Sequence, residues 1–244
     1  MTDDTISRRR LLEMSALGLA GMSLAGCVTA EQAQDDGGSA PSSSAASNPS
    51  SGTGFNYALA YASVSDGGFK VPAVPWEKID KRLLRQRVAN TTGVGPGKIV
   101  VETRRHYLYV TESRGRAVRY GVGLGRQGFE WSGQGYIKRK AKWPKWHPPA
   151  EMIDREPKLE KFRTTFNRAT GEWEGGMEPG LLNPLGARAH YIFQGEVDTL
   201  YRLHGSPEWW SIGKSVSSGC VRLINQDVID LFKRVSPGTE IIVR

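Results

Sequence analysis

The sequence predicts a mostly β fold for the chain from about residue 97 to its end. Short runs rich in Val, Ile and Tyr recur after residue 98, and turn-forming residues separate them. Only one segment in this part, near residue 230, has a strong helical period. The roughly 190 residues that follow a low-complexity N-terminal region are enough for one good hydrophobic core.

The N-terminus predicts an export signal over residues 1–27. Arginines at 8, 9 and 10 precede a short apolar stretch, Leu11–Gly26, and small residues lead to Cys27. The stretch is shorter than the approximately 20 apolar residues that span a membrane, so a single-span anchor is the weaker alternative. The paired arginines resemble a twin-arginine signal. Leu24-Ala25-Gly26-Cys27 resembles the lipobox of bacterial lipoproteins, which implies lipidation of Cys27, a membrane anchor and a periplasmic location.

The next two segments are predicted to lead into the folded part. Residues 28–54 are rich in Ser, Ala, Gly and Pro and cannot bury a core, which predicts a flexible tether. Residues 55–96 form an N-terminal flanking segment. Within it, Trp76–Val88 is predicted to be a helix, because Ile79, Leu83 and Leu84 fall at helical spacing.

The predicted domain then runs from residue 97 to 244. A hairpin turn is expected at 113–116, a bend over 121–135 and a closing turn at 236–238. A late helix is expected over 227–235, where apolar residues recur at i, i+3, i+4 and i+7. The predicted strands are Ile99–Glu102, Tyr107–Thr111, Ala117–Val122, Tyr136–Lys142, His190–Phe193, Thr199–Leu203 and Glu240–Val243.

Two segments between these strands are predicted to be irregular. Trp143–Pro149 contains three prolines and two tryptophans, so it is a stiff loop that either lines a substrate groove through Trp146 or is held onto the core by its rings. Glu151–Gly180 is polar, with helical character only around Glu156–Phe162. It is predicted to be an insertion that acts as a lid or flap.

The sequence around Cys220 carries the chemistry. His204-Gly205 is followed by Ser217-Ser218-Gly219-Cys220-Val221-Arg222-Leu223. A nearby imidazole or cation favours the nucleophilic thiolate, and Gly219 permits a tight turn that aims the N–H groups of Gly219 and Cys220 at an oxyanion. Arg222 could clamp a carboxylate. A lone buried thiol with a satisfied histidine is the alternative, but the added glycines and arginine favour a nucleophilic site.

This pattern resembles the signature of the L,D-transpeptidase (YkuD) family, in its subgroup from Gram-negative bacteria. The resemblance covers about residues 97–244 and includes Asn183–Gly186 and Leu200–Gly205. It implies a β-sandwich with a few short helices and an inserted flap. Ser218 stands where many members have His or Arg, which is expected to tune substrate contacts.

The resemblance implies a peptidoglycan stem peptide as substrate. Cys220 would attack the tetrapeptide at the L-centre of its third residue with His204 as base, release D-alanine, and pass the acyl group to an amine in a 3-3 cross-link. The Gly205 carbonyl would orient His204, with Glu208 as a weaker candidate. The expected substrate contacts are Arg222, Ser217, Ser218, Trp146 and Tyr201.

Several alternatives and exclusions accompany this prediction. Papain-like enzymes place the cysteine before the histidine, and sortases have a more distant histidine and lack Ser-x-Gly. With water as acceptor the same site gives a carboxypeptidase, with a lipoprotein amine it gives a protein-to-wall ligase, and a degenerate site gives a wall-binding lipoprotein.

No cofactor, catalytic metal or nucleic-acid partner is predicted, because ligand spacing, phosphate loops and recognition motifs are missing from the sequence. A monomer is expected. His106 is interpreted as a solvated loop residue, and His147 and His190 as secondary candidates for lining the site. The chain has a formal charge of +8; residues 1–54 carry three arginines and six acidic residues, so the remainder carries +11. Such a domain could bind an anionic polymer, or its charge could serve only solubility.

Overall fold

A large mixed sheet dominates the computed structural model, which describes residues 55–126, 131–217 and 219–244. Nine strands follow the order β14-β12-β11-β8-β15-β4-β5-β6-β3, and three two-stranded sheets accompany them. The strands are β1 Val64–Asp66, β2 Phe69–Val71, β3 Gln86–Ala89, β4 Ile99–Glu102, β5 Tyr107–Glu112, β6 Arg116–Gly121, β7 Leu124–Gly125, β8 Gly133–Lys142, β9 Thr165–Asn167, β10 Glu172–Glu174, β11 Arg188–Gln194, β12 Val197–Ser206, β13 Ser215–Ser217, β14 Val221–Ile224 and β15 Glu240–Val243.

Helices are few and mostly short. The α-helices are α1 Tyr57–Ala60, α2 Ala150–Arg155 and α3 Asn225–Arg234, and the 3₁₀ helices are Trp76–Lys78, Lys81–Leu83, Thr103–Arg105, Pro157–Phe162 and Trp209–Ser211. The prediction of a mostly β fold is therefore confirmed. Among the described residues, none of these helices is long and apolar enough to cross a membrane.

Both faces of the central strands bury apolar side chains. Ile99 and Val101 of β4 belong to a first core cluster, which also contains Leu203 of β12 from the other half of the sheet. Val100, between them in sequence, belongs to a second core cluster on the opposite face. This alternation follows from the two-residue period of a strand, and the first cluster joins the two halves of the sheet around one core.

The predicted strands agree well with the observed ones. Ile99–Glu102 and Glu240–Val243 have the predicted bounds, and the others differ by a few residues at their ends. β5 and β6 form the expected antiparallel hairpin. The late helix is also confirmed: α3 begins two residues earlier than predicted and buries Val228 and Leu231.

The helix predicted over Trp76–Val88 is wrong. Two 3₁₀ turns occupy its first part, and its last residues form β3, which pairs with β6 at the sheet edge. Leu83 and Leu84 are both buried although they are adjacent, and Asp80 caps the second turn through the Arg82 N–H. Long-range pairing with the sheet therefore overrides a weak local helical period.

The insertion is more regular than predicted. Besides α2 and the 3₁₀ helix Pro157–Phe162, it contains the antiparallel hairpin of β9 and β10. Phe166 and Trp173 face each other across this hairpin, and both are exposed. The proline-rich loop before it joins the insertion at Trp146, which exchanges two backbone hydrogen bonds with Met177.

The flanking segment is tied to the sheet and to α3 by buried polar contacts. Asp66 forms a bidentate pair with Arg188 of β11, at 2.7 Å for both bonds, and accepts a 2.8 Å hydrogen bond from the Trp143 indole. The Tyr61 hydroxyl lies 3.2 Å from Asp227 of α3 and accepts the Arg85 N–H at 2.8 Å. These contacts make residues 55–96 part of the same packed unit, and they hold Trp143 onto the core.

Candidate active site

The parallel pairing of β12 with β14 sets the geometry of the site. Leu203 pairs with Val221 and His204 with Arg222, at the edge of the large sheet. Leu203 and Val221 lie in the first core cluster. Because successive side chains of a strand alternate between faces, His204 and Arg222 lie on the face away from that core.

The same alternation places four functional side chains together. Arg202 precedes His204 by two residues, and Cys220 precedes Arg222 by two, so both lie on the same outer face. We call this set, Arg202, His204, Cys220 and Arg222, the thiol face. Same-face side chains on neighbouring strands are in reach of one another, since diagonal Cα atoms are about 7–8 Å apart. The imidazole and thiol therefore come from adjacent strands.

The His204 ring is fixed by the main chain. Nδ1 lies 2.7 Å from the Gly205 carbonyl oxygen, and the residue is only 4% exposed. A carbonyl only accepts hydrogen bonds, so Nδ1 carries the proton and Nε2 is the basic nitrogen of the neutral ring. Burial lowers the pKa of His204 to about 4, against the opposing effect of the Gly205 and Pro184 carbonyls. The ring is therefore neutral at pH 7.

Cys220 is a free, partly exposed thiol directly before β14. Burial of the sulfur raises its pKa above the ordinary value, and a hydrogen bond from the Arg202 backbone and the charges of Arg202 and Arg222 act in the opposite direction. The resting site thus holds a neutral thiol and a neutral imidazole, and the proton must leave the sulfur as the sulfur reacts.

Ser217 braces the turn before Cys220. Its side chain is buried and its hydroxyl donates to the Cys220 carbonyl at 2.7 Å and accepts the Gly219 N–H at 3.3 Å. Gly219 has φ of +126°, a conformation that favours glycine. The Gly219 N–H, a predicted oxyanion donor, is thus engaged by Ser217 in this state. Ser217, a predicted substrate contact, is positioned to support the loop.

Arg222 and Glu208 pair with each other. Arg222 Nη1 lies 2.7 Å from Glu208 Oε2, and the carboxylate side chain is 47% exposed. Glu208 was the weaker candidate for orienting His204. Its carboxylate instead neutralises Arg222, while the Gly205 carbonyl accepts the hydrogen bond from Nδ1 of His204.

Of the remaining predicted site residues, Tyr201 and Trp146 lie outside the thiol face. Tyr201 alternates with Arg202, packs against the first core cluster and stacks on Trp131 at 5.8 Å, which does not support a substrate contact. Trp146 lies in the proline-rich loop, where its ring is 6.3 Å from that of Phe162 in the insertion. Ser218 and Cys27 lie outside the described residues.

The structure also shows where the other three histidines lie. His190 is fully buried against Phe232 of α3, on the face opposite the thiol face, so it does not line the site. His147 Nδ1 contacts Thr164 in the insertion. His106 Nε2 lies 3.1 Å from Ser215 Oγ. Nowhere in the described part of the chain do three His, Cys, Asp or Glu side chains gather as a metal site.

Arg202 was not predicted as a site residue. It forms a bidentate pair with Asp198, at 2.6 and 2.8 Å, and its guanidinium lies 4.4 Å from the Tyr191 ring centre. The signal for it is the two-residue period: Arg202 and His204 are two residues apart on one strand, whereas Tyr201 is one residue from Arg202 and three from His204, so it lies on the other face.

Comparison with known proteins identifies relatives of the folded part of the chain. The model of the YkuD L,D-transpeptidase catalytic domain matches residues 96–243. The probable L,D-transpeptidase YbiS of Escherichia coli strain K12 is 30% identical over 153 residues, which are 61% of this chain and 44% of that protein. The probable L,D-transpeptidase YcfS of the same strain is 34% identical over 98 residues, 40% of this chain and 27% of YcfS.

A solved structure is also similar in sequence. The crystal structure described as a probable carnitine operon oxidoreductase from Brucella melitensis is 42% identical, with a TM-score of 0.44, over 70% of this chain and 99% of that one. The chain spans less than half the length of the YbiS and YcfS proteins that it matches. The family model covers more than half of this chain and includes both His204 and Cys220. The chain therefore belongs to the YkuD family of L,D-transpeptidase catalytic domains.

Proposed function

We propose that the protein is a peptidoglycan L,D-transpeptidase with Cys220 as its nucleophile. The observation that carries the proposal is the thiol face, where adjacent parallel strands present the thiol and a histidine whose Nδ1 is held by a main-chain carbonyl. A neutral imidazole with a basic nitrogen, on the same face as a thiol from the adjacent strand, is suited to general-base activation of a sulfur nucleophile.

The first half-reaction forms a thioester. Cys220 sulfur attacks the carbonyl carbon at the L-centre of the third residue of a tetrapeptide stem, while Nε2 of His204 takes the thiol proton. Main-chain N–H groups near Cys220 stabilise the oxyanion. The carbon–nitrogen bond to the terminal D-alanine then breaks, and the leaving amine takes the proton from His204.

The second half-reaction consumes the thioester. The amine of a neighbouring stem attacks the same carbonyl carbon, His204 accepts a proton from that amine, and the sulfur leaves with a proton from the imidazolium. The product is a 3-3 cross-link and the free thiol is restored. Water as acceptor would give a tripeptide, and an amine on a lipoprotein would give a protein linked to the wall.

The resting protonation state suits this cycle. Burial keeps the thiol and the imidazole neutral, so the nucleophile is generated only when a substrate carbonyl is in place. A permanently ionised thiol outside the cytoplasm would be more exposed to oxidation.

The experiment is mass spectrometry of tetrapeptide muropeptides incubated with the full chain, in parallel with Cys220→Ala. We expect a cross-linked dimer that lacks one D-alanine with the native chain, and unchanged tetrapeptide with the variant. An acyl-enzyme mass on the native chain identifies the thioester. Tripeptide alone would indicate hydrolysis, and identical products in both samples would contradict the role of Cys220.

We further propose that the protein is exported and held at a membrane by a lipid on Cys27, with residues 28–54 as a tether to the wall. The support is the sequence of the N-terminus, which lies outside the described residues. We expect Cys27→Ala to move the protein from the membrane fraction to the soluble periplasmic fraction. Retention of this variant in the membrane would contradict lipidation at Cys27.

A further inference from the structure

One row of side chains crosses the sheet from the thiol. Tyr191 of β11 pairs with Arg202 of β12 on one side and with Arg139 of β8 on the other. Arg202 and Cys220 directly precede Leu203 and Val221, the first pair in the parallel register of β12 and β14. Directly paired residues share a face, so Arg202, Tyr191 and Arg139 follow one another across three strands, and Cys220 precedes the neighbouring strand β14 at the Arg202 end of this row.

The Tyr191 ring holds both guanidinium groups of this row. The Arg139 guanidinium carbon lies 3.7 Å from the ring centre, and that of Arg202 lies 4.4 Å from it. The ring is only 8% exposed. Stacking on an aromatic ring keeps a guanidinium in one orientation and lowers the entropy lost when it binds a ligand.

Arg139 differs from the other arginines of this face in its charge balance. Asp198 neutralises Arg202, and Glu208 neutralises Arg222. Arg139 is exposed, and no carboxylate of the described residues forms an ion pair with it. Its planar fork of donors is therefore available for a carboxylate from outside the chain.

The distance between Cys220 and the Arg139 guanidinium indicates where on a donor peptide the bound carboxylate would lie. Neighbouring strands are about 4.8 Å apart, so the Tyr191 ring that carries the Arg139 guanidinium is about 10 Å from Cys220. An extended peptide covers about 3.3–3.6 Å per residue. A carboxylate one or two residues before the reacting carbonyl, with the length of its side chain, would reach this guanidinium.

We propose that Arg139 is a specificity-determining residue that binds a carboxylate on the acyl-donor peptide, one or two residues before the bond that Cys220 attacks. This inference rests on the proposed function, because it assumes that the donor reacts at Cys220. The donor recognised at this site is then an acidic peptide, and the Arg139–Tyr191–Arg202 row is the floor of the site that binds it.

The test compares two donor tetrapeptides, one with a free carboxylate on its second residue and one with that carboxylate amidated. Their affinity is measured by calorimetry on the full chain carrying Cys220→Ala, where no turnover occurs. We expect tighter binding of the free carboxylate by about tenfold or more, and loss of this preference when Arg139→Gln is added. Arg139→Lys should restore only part of it, since an ammonium lacks the planar fork.

Lys138→Gln is the matched control. Lys138 is the adjacent exposed cation and pairs with Glu196, so its loss removes the same charge from the same strand. We expect it to leave the preference within about twofold of the unmodified value. An equal loss in Lys138→Gln would show that only the general positive field matters and would overturn the assignment of Arg139.

Turnover separates this inference from the proposed function. In the chain with native Cys220, Arg139→Gln should raise KM for the free-carboxylate donor with little change in kcat, and raise KM for the amidated donor much less. Equal affinity of the two donors with Arg139 present would overturn the inference, whatever the turnover. A retained binding preference in a chain that transforms neither donor would overturn the proposed function and keep Arg139 as a carboxylate site.

Discussion

At the scale of single residues, the protonation of the thiol and imidazole controls the reactivity of the site. Burial acts on the two groups in opposite directions: it raises the pKa of Cys220 and lowers that of His204 to about 4. Both shifts favour the neutral form, because burial penalises whichever form is charged.

This protonation state predicts slow alkylation of Cys220 at neutral pH. The rate of reaction with iodoacetamide should rise with pH and reach its midpoint above the value of about 8.5 that is usual for a free thiol. The measurement is the alkylation rate from pH 5 to 11, followed by mass spectrometry of the full chain, with Cys220→Ala to correct for other sites. A midpoint below pH 7 would indicate a thiolate–imidazolium pair and contradict the neutral resting state.

Gly205 is predicted to tolerate no side chain. A Cβ there would meet Asn225 Oδ1, which accepts the Ala187 N–H at 2.9 Å, and would lie 2.9 Å from Val228 Cγ1. We expect Gly205→Ala to displace the carbonyl that holds His204, to lower activity at least about tenfold and to destabilise the fold by about 1–3 kcal/mol.

Urea unfolding and muropeptide turnover check this expectation. Gly95→Ala is the control, because a Cβ at Gly95 meets nothing within 4 Å. Native activity and stability in Gly205→Ala would show that β12 and α3 can separate without cost to the site.

At the scale of elements, α3 joins the sheet to the flanking segment. Asp227 is fully buried at its first turn, beside Arg85 at 3.6 Å and the Tyr61 hydroxyl at 3.2 Å. Burial raises the pKa of Asp227 to about 7 despite the nearby arginine. The Tyr61 hydroxyl is thus one of the few polar groups that contact the buried Asp227 carboxyl group.

Tyr61→Phe is expected to destabilise the protein by about 1–3 kcal/mol, because it leaves the Arg85 N–H and the Asp227 carboxyl group without this partner in a buried site. Urea unfolding monitored by fluorescence measures the change. Tyr136→Phe removes a hydroxyl from an exposed tyrosine of β8 and should change the free energy of unfolding by less than about 0.5 kcal/mol. Equal effects of both substitutions would contradict the importance of the buried contact.

At the scale of the whole molecule, the folded unit is larger than the segment that the family model matches. The match begins at residue 96, whereas β3 extends the large sheet and Asp66 pairs with buried Arg188. Removal of the flanking segment would leave Arg188 and Asp227 buried without Asp66, Tyr61 or Arg85. An uncompensated buried charge costs about 3–5 kcal/mol, which is a large part of the stability of a typical domain.

A fragment of residues 97–244 is therefore expected to lack cooperative thermal unfolding, while residues 55–244 unfold in a single transition. Circular dichroism melts of the two fragments at equal concentration give the comparison. A cooperative transition and native turnover in the shorter fragment would contradict the structural role of residues 55–96.

The local sequence is sufficient to predict seven of the nine strands of the large sheet, α3, and His204 and Cys220 as site candidates. These features rest on short-range patterns: alternation of apolar residues, a helical period, and motif spacing. The prediction of a helix over 76–88 is wrong because its apolar residues pack in the second core cluster and its last residues pair with β6. These contacts come from residues distant in the sequence, so a local pattern does not reveal them.

The sequence by itself determined where most strands of the large sheet lie along the chain, the nucleophile candidate and its base, because neighbouring residues along the chain carry that information. Only the tertiary structure decided which side chains share the face of Cys220. Strand pairing brought in Tyr191 and Arg139 and placed Tyr201 toward the core, while ion pairs neutralised Arg202 and Arg222 and left Arg139 without a carboxylate partner among the described residues. The physical reason is that register and burial depend on contacts between distant segments, and these set both the orientation of a side chain and its charge state.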